Sequence, residues 1–495
     1  MVFSSILFLC IFLPITIVLY YTLPKQCKNA VLLFSSLIFY AWGEPKYVLL
    51  MILSISANYL FGILMEKGRR KAVLVTAVVF NLGLLAFFKY TDFFIININN
   101  LTGADILLLK LALPIGISFY TFQTLSYVID VYKGKVSPQR NIAAFGMYIS
   151  FFPQLIAGPI VRYSDIEGSL KSRNESAENF FNGMMRFSCG LAKKVLLANS
   201  IGLLFDEIYS GGRADALTSF IGALAFTFQI YYDFSGYSDM AIGLGKMFSF
   251  TFPENFNHPY EAESITEFWR RWHISLGSWF REYVYIPLGG NRLGKGRQIL
   301  NLLIVWALTG FWHGANWNFL IWGLFYFVLL LAEKLFLLKA MKKCPKVLKH
   351  AYTLFFVLLG WVIFACDKES FPFTEYIKCL FGANGFISED SLYYLNNYLP
   401  LFVILTIGAT SLPAKIGKKI KGLLEKEDCN CGINGRSMAA LTGNFKNKKN
   451  STTTTLTRKR SFLLALCIIY TCTMIGFSIV FLLGDTYNPF LYFRF

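Results

Sequence analysis

Charged side chains are scarce in this sequence of 495 residues. Asp, Glu, Lys and Arg make up 15% of it, whereas hydrophobic residues make up 55% and aromatic residues 17%. A soluble domain carries about 25% charged residues, so a soluble globular fold is excluded. Abundant Phe, Tyr and Trp side chains suit contact with lipid and with the membrane–water interface. The composition therefore predicts an all-α, polytopic transmembrane bundle whose first partner is the lipid bilayer.

Acidic residues are too few to balance the basic ones, and the formal net charge is +18. The basic residues do not form one patch of the kind that binds nucleic acid. They stand at the ends of apolar runs and in residues 415–460, which hold 12 Lys or Arg against 3 Asp or Glu. This distribution is typical of loops on the cytoplasmic side of a membrane. We therefore expect no nucleic-acid partner, and a cytoplasmic, disordered loop at 415–460.

The sequence also lacks the spacings that mark disulfides, metal sites and secretion signals. Its ten cysteines are scattered and form no zinc-ligand pattern with the histidines, so we expect no metal. No cleavage motif follows the apolar stretch at residues 2–23, which is long enough to cross a bilayer. We interpret that stretch as the first transmembrane helix.

Long apolar runs recur along the rest of the chain, and their lengths predict about eleven membrane helices with additional re-entrant or interfacial helices. We expect one membrane domain over residues 1–495. Residues 255–297 break the pattern because they are rich in charge, Trp and Gly. Lipid does not solvate charges or irregular backbone. This amphipathic or re-entrant segment is therefore predicted to line the active site.

Only four histidines occur, at positions 258, 273, 313 and 350. His313 follows Trp312 in a short polar break between two apolar runs. An ionisable group at membrane depth is costly and indicates a functional site. A neutral imidazole there can take a proton from an alcohol that attacks a carbonyl. A structural histidine, hydrogen-bonded inside a helical bundle, explains the same pattern equally well.

His273 lies in the run 264–283, where aromatic and apolar residues such as Trp269 recur at helical spacing. Arg270 and Arg281 of the same run can bind anionic head groups or a donor that bears phosphate. The competing interpretation is an amphipathic anchor that lies in the membrane interface. Asp233 and Asp239 of the preceding apolar run are expected to pair with arginines of this segment.

Several motifs together resemble the membrane-bound O-acyltransferase family, in its alginate O-acetyltransferase branch. They are residues 39–45 (Phe-Tyr-Ala-Trp-Gly-Glu-Pro), 114–123 (Pro-Ile-Gly-Ile-Ser-Phe-Tyr-Thr-Phe-Gln), 151–159 (Phe-Phe-Pro-Gln-Leu-Ile-Ala-Gly-Pro), 232–240 (Tyr-Asp-Phe-Ser-Gly-Tyr-Ser-Asp-Met), 269–273 (Trp-Arg-Arg-Trp-His), 286–292 (Ile-Pro-Leu-Gly-Gly-Asn-Arg), 312–314 (Trp-His-Gly) with Asn318, and 488–495 (Asn-Pro-Phe-Leu-Tyr-Phe-Arg-Phe). The resemblance covers nearly the whole chain.

The resemblance implies a helical bundle with a central funnel, and two catalytic histidines that match His313 and His273. Trp269, Arg270, Arg281, Trp312 and Asn318 are the residues expected to bind substrate or donor. The resemblance also implies a cytoplasmic thioester donor, either acetyl-CoA or an acyl carrier, and no tightly bound cofactor. The acetyl group is expected to reach hydroxyls of an outer polysaccharide, alginate-like or peptidoglycan, with the help of an exported SGNH-type acetyltransferase. The chain itself is expected to lie in the cytoplasmic (inner) membrane.

Two other functions stay open. One is transfer of D-alanine to teichoic acid by a member of the same family, although residues 286–292 are more similar to the alginate branch. The other is a polytopic transporter or flippase in which His313 relays protons. Transporters often show inverted repeats and paired broken helices, and the sequence shows neither.

Overall fold

The computed structural model describes residues 1–156, 158–211, 214–366, 372–426, 451–484, 487–489 and 491. Helices account for the regular structure, and within these ranges the chain forms an isolated bridge between Ala383 and Gly385 but no β-strand. The all-α prediction is therefore confirmed.

In chain order the α-helices are α1 (Leu13–Thr22), α2 (Lys28–Gly43), α3 (Val48–Leu64), α4 (Arg70–Thr102), α5 (Ile117–Lys133), α6 (Ile142–Ser150), α7 (Phe152–Leu155), α8 (Tyr163–Lys171), α9 (Ala177–Ala192), α10 (Asn199–Ser210), α11 (Ala216–Met247), α12 (Ile265–Arg271), α13 (Ile274–Phe280), α14 (Lys295–His313), α15 (Trp317–Ala332), α16 (Leu338–Met341), α17 (Lys346–Ala365), α18 (Phe373–Leu380), α19 (Glu389–Ala409), α20 (Leu412–Lys426) and α21 (Ser451–Gly484). Short π-helical pieces occur at Phe8–Phe12, Lys193–Ala198, Arg281–Tyr285 and Glu333–Leu337, and 3-10 turns at Lys25–Cys27, Met65–Lys67 and Pro259–Glu261.

Seven helical stretches in the described part of the chain are long and apolar enough to cross a membrane. They are Val48–Lys67, Arg70–Thr102, Ala177–Ser210, Trp317–Met341, Lys346–Ala365, Glu389–Ala409 and Ala465–Gly484. The protein is thus a multi-pass membrane protein, but the expected count of about eleven helices is not confirmed. One reason is that α11 is buried by other helices along most of its length and carries polar side chains, so it does not need an apolar surface.

The centre of the bundle is the contact between α9 and α11, and glycines bring the two backbones together. A Cβ atom on Gly183 would lie 2.6 Å from the carbonyl oxygen of Gly243, and one on Gly190 would lie 2.5 Å from that of Gly236. Small residues at regular spacing are a common device for close helix packing in membranes. This close contact fixes the position of α11 in the bundle.

One buried ion pair, at Asp233, and two partly exposed ones, at Asp239, hold α11 to its neighbours, and they differ from those expected. Asp233 lies 2.6 Å from the Lys194 ammonium, and Asp239 binds Arg186 at 2.9 Å and Lys193 at 2.7 Å. The predicted pairing with arginines of the run 264–283 is therefore wrong. Arg186, Lys193 and Lys194 belong to the continuous helical stretch Ala177–Ser210. This stretch packs directly on α11, so these cations neutralise both carboxylates.

The basic stretch at 415–460 is helical at both ends where the structure describes it. Residues 415–426 continue α20, and residues 451–460 form the first turns of α21. Lys, Leu and Glu favour helix at the first of these ends, and the cytoplasmic, disordered loop expected at 415–460 stays a prediction. Residues 427–450 lie outside the described residues.

Replacing Gly190 by Ala is expected to destabilise the protein by about 1–3 kcal/mol, because the new methyl group clashes with backbone that cannot move aside. The same change at Gly83 is a matched control, since a Cβ atom there meets nothing within 4 Å and Ala favours helix by about 1 kcal/mol. Thermal unfolding in detergent is the measurement. An equal response of the two variants would contradict the packing described for α9 and α11.

Candidate active site

The run 264–283 is split at Trp272 and His273, so the expected continuous helix is wrong. Helix α12 ends at Arg271 and α13 begins at Ile274, while His273 has a left-handed backbone with φ of 45°. The preceding segment satisfies the backbone groups that the break exposes. The Asn257 amide donates to the Arg271 carbonyl at 2.9 Å, and the Ile274 amide donates to the Asn255 carbonyl at 3.0 Å. A break of this kind is tolerated inside a membrane protein when its polar groups find partners.

The Asn255 side chain fixes the proton on the His273 ring. Its Oδ1 accepts hydrogen bonds from the Ser275 amide at 3.2 Å and the Ser275 hydroxyl at 2.9 Å. A backbone N–H can only donate, so this atom is the amide oxygen. It also lies 3.0 Å from Nδ1 of His273. His273 must therefore carry its proton on Nδ1, which leaves Nε2 as a hydrogen-bond acceptor.

His273 is buried in an apolar, aromatic surrounding outside the seven spanning stretches. Its side chain packs edge-on against Phe234 with ring centroids 4.7 Å apart. Burial lowers the pKa of the imidazole to about 3, because an apolar surrounding disfavours the charged form. Its Nε2 is buried and has no hydrogen-bond partner among the described residues. The ring is thus neutral near pH 7 and retains one free acceptor.

His313 is the last residue of α14, at the turn into α15. Its ring is partly exposed and packs edge-on against Trp322 and Phe364 at centroid distances of 5.0 and 5.2 Å. Gly314 allows the turn, because a Cβ atom there would lie 2.2 Å from the Phe319 ring. The close approach at this glycine therefore involves a side chain of α15. A partly exposed imidazole between aromatic walls remains accessible to a small group.

Helix α4 binds the end of α14 through two neighbouring residues. The Lys89 ammonium donates to the carbonyl of Trp312 and, at 3.1 Å, to that of His313. The Tyr90 hydroxyl donates to the Phe311 carbonyl at 2.8 Å. The last carbonyls of a helix lack donors within the helix, and a cation is favourable there. Lys89 and Tyr90 therefore fix the position of the backbone that carries His313.

Trp312 and Trp269 join the two histidines into one aromatic site. The Trp312 ring lies 6.1 Å from the His273 ring and 4.8 Å from the His313 ring, measured between centroids. Trp269 packs on Trp322 at 5.4 Å, and Trp322 in turn contacts His313. The structure thus brings His273, His313, Trp269 and Trp312 together.

The other predicted binding residues stand apart from this aromatic site. The Asn318 amide donates to the carbonyls of Phe364 at 3.3 Å and Cys366 at 3.0 Å, so both contacts tie α15 to the end of α17. Arg270 and Arg281 are exposed and form no ion pair with the described side chains. Binding of substrate or donor by these three residues stays a prediction.

Sequence reasoning missed Asn255 and Lys89. A signal existed for Lys89, because an ionisable residue within the apolar α4 indicates a functional site by the argument applied to His313. Asn255 lies in the polar segment 255–297, but its contacts with His273 and Ser275 depend on the backbone path between them.

The described part of the chain contains no group of three or more His, Cys, Asp or Glu side chains suited to a metal.

Both histidines lie within the part of the chain that matches a known family. The model of the membrane-bound O-acyltransferase family matches residues 137–374. The probable alginate O-acetylase AlgI of Pseudomonas aeruginosa is 41% identical over 377 residues, which cover 74% of this chain and 72% of that protein. The peptidoglycan O-acetyltransferase of Helicobacter pylori is 36% identical over 454 residues, covering 82% and 85%.

Similarity to a teichoic acid enzyme is weaker. The teichoic acid D-alanyltransferase of Bacillus subtilis is 27% identical over 269 residues, which cover 51% of this chain and 68% of that protein.

Acidification is expected to destabilise the protein through His273. In the unfolded chain a histidine has a pKa of about 6.5, whereas burial lowers the pKa of folded His273 to about 3. Between these values the unfolded chain binds a proton that the folded one does not, so stability falls as the pH drops below about 6.5. The loss at pH 5 is about 2 kcal/mol. Unfolding by denaturant at pH 7.5 and pH 5 measures it.

The matched variant is His273→Asn, because Asn tolerates the left-handed backbone and does not titrate. Its stability is expected to fall less between the two pH values than that of the unchanged protein. Equal losses in both proteins would contradict a neutral, buried His273.

Proposed function

The chain belongs to the membrane-bound O-acyltransferase family, and from this premise we propose that it moves an acetyl group from a cytoplasmic thioester to hydroxyls of a cell-surface polysaccharide. Its membership makes it an acyltransferase, which confirms the resemblance found in the motifs and leaves the transporter interpretation without support. D-alanyl transfer is disfavoured because the teichoic acid relatives are more distant. The names of the nearer relatives support acetyl as the group and an alginate-like polymer or peptidoglycan as the acceptor.

The observation that carries the proposal is the pairing of a partly exposed His313 with a buried, neutral His273. In the proposed reaction the acceptor hydroxyl attacks the thioester carbonyl while His313 takes the hydroxyl proton. The new C–O bond forms, the C–S bond breaks, and the proton passes from His313 to the departing thiolate. The reacting hydroxyl gives its proton to His313, so the free Nε2 of His273 accepts a hydrogen bond from a second hydroxyl of the acceptor and positions it.

We also propose the sides of the membrane on which each substrate binds. The exposed Arg270 and Arg281 are suited to the phosphates of acetyl-CoA or of an acyl carrier. Basic segments such as residues 415–426 are typical of a cytoplasmic surface, which supports residence in the cytoplasmic (inner) membrane. Thioesters form inside the cell, whereas surface polymers lie outside, so an enzyme that spans the membrane connects the two. An exported SGNH-type acetyltransferase as the final carrier is part of the proposal.

Replacement of His313 by Ala is expected to abolish transfer, because loss of a general base slows such reactions by about 10²–10⁴-fold. The measurement is ester-linked acetate on surface polysaccharide and on peptidoglycan from a deletion strain that carries either the unchanged gene or the variant. His350→Ala is the matched control, since the partly exposed His350 lies 3.0 Å from the Ala262 carbonyl through its Nδ1 and is not part of the aromatic site. The polymer that loses acetate identifies the acceptor.

Normal acetate on every polymer in cells with well-expressed His313→Ala protein would contradict the proposed role of His313. Loss of ester-linked D-alanine in place of acetate would favour teichoic acid as the acceptor.

A further inference from the structure

A long apolar groove lies on the membrane-facing side of the bundle, between α11, α17 and α19. Its volume is about 460 Å³ and its lining is almost entirely apolar, within the range of about 300–1,000 Å³ typical of ligand sites. Leu399, Phe220 and Leu354 line it and are 50%, 44% and 42% exposed. The groove is thus open to the hydrocarbon of the bilayer.

The length of the groove matches a lipid chain. On α19 its lining extends from Leu395 to Ala409, which is about 21 Å at 1.5 Å per residue. One leaflet of a bilayer contributes about 15 Å of hydrocarbon. A single acyl chain that enters from one leaflet is therefore long enough to follow most of the groove.

The groove is separate from the proposed active site. Tyr260 is one of the residues that line the groove, and the Tyr260 ring packs against Phe268 and Trp272 at centroid distances of 6.1 and 6.2 Å. Its hydroxyl donates to the Thr227 carbonyl. These aromatic rings lie between the groove and His273, so a chain in the groove is not a substrate of the histidines.

The basic helix α20 begins at the mouth of this groove. Thr410 lines the groove, and α20 starts two residues later. Lys415, Lys418 and Lys419 on this helix are exposed and form no ion pair among the described side chains. A basic helix at the membrane surface attracts anionic lipid head groups.

Two carboxylates near the mouth have partners of their own, and one of them, Glu261, also interacts electrostatically with Lys415. Glu261 accepts hydrogen bonds from the Ser411 amide and hydroxyl, both at 2.7 Å, and lies 3.9 Å from Arg271. Glu263 lies 3.3 Å from Lys349 and 3.9 Å from Lys346. Lys418 and Lys419 therefore leave the mouth above the apolar groove with a net positive charge.

We propose that this groove and the first turns of α20 form a binding site for one anionic phospholipid of the bilayer. Its acyl chain occupies the groove, and its phosphate head group binds Lys415, Lys418 and Lys419. The site ties α11, α17 and α19 together at the surface where α20 lies. Neither the donor nor the acceptor of the acyl transfer takes part in it.

The test is photolabelling of the full-length protein in phosphatidylcholine vesicles that contain a phosphatidylglycerol with a diazirine in its acyl chain. Labelled peptides are expected from the groove-lining parts of α11, α17 and α19. The triple variant Lys415→Gln, Lys418→Gln and Lys419→Gln is expected to lose about tenfold or more of this labelling. A control triple, Lys67→Gln, Arg69→Gln and Lys71→Gln, lies in another basic cluster and is expected to label like the unchanged protein.

A second pair of variants tests the groove itself. Thr406→Trp fills the groove and is expected to abolish labelling of its lining, whereas Val403→Trp, on the same helix but outside the lining, leaves labelling unchanged. Even labelling along lipid-facing helices such as α4, unaffected by either set of variants, would overturn the proposal in favour of annular lipid only. Equal labelling of the groove by the matching phosphatidylcholine probe would overturn the role of the head group.

Discussion

Backbone N–H and C=O groups inside a membrane protein must form hydrogen bonds. Both histidines of this enzyme lie at helix ends, where these groups lack partners within the helix. At the break between α12 and α13, the segment from Asn255 to Asn257 supplies the partners. At the end of α14, Lys89 and Tyr90 of α4 donate to three successive carbonyls. The same contacts that make these breaks possible also fix the two imidazoles. The contacts that satisfy the backbone at these two helix ends therefore also determine where the two histidines lie.

The environment of the two rings then divides their roles. His273 is enclosed by aromatic rings and has its Nδ1 proton held by Asn255, so it offers a single acceptor at Nε2. His313 remains partly exposed and is accessible to a substrate. Trp312 lies against both rings and limits the space between them. A dry site strengthens each hydrogen bond made to a reacting group, which suits attack of a weak nucleophile such as an alcohol.

Composition was enough to predict an all-α membrane bundle, because lipid requires apolar helices however they pack. The sequence motifs were enough to predict the family. The expected count of about eleven membrane helices is not confirmed, since a helix such as α11 that is surrounded by protein does not need an apolar sequence. Asp233 and Asp239 were correctly judged to need cations, but which cations depends on how α9 packs on α11. The split at His273 was hidden because helical spacing continues across it, and Asn255 supports the break from outside the run.

The most direct test of the central claim concerns Lys89, because it binds the carbonyls of Trp312 and His313 and contacts no reacting group in the proposed mechanism. Turnover of acetyl-CoA by purified enzyme in lipid nanodiscs is compared for Lys89→Met, Lys89→Arg and the exposed control Lys110→Met. A misplaced catalytic group can cost about 100-fold in rate. We expect a loss of that order in kcat, with little change in KM, for Lys89→Met, partial recovery for Lys89→Arg and no change for Lys110→Met. Full activity of folded Lys89→Met would show that the contact between α4 and α14 does not hold His313 for catalysis.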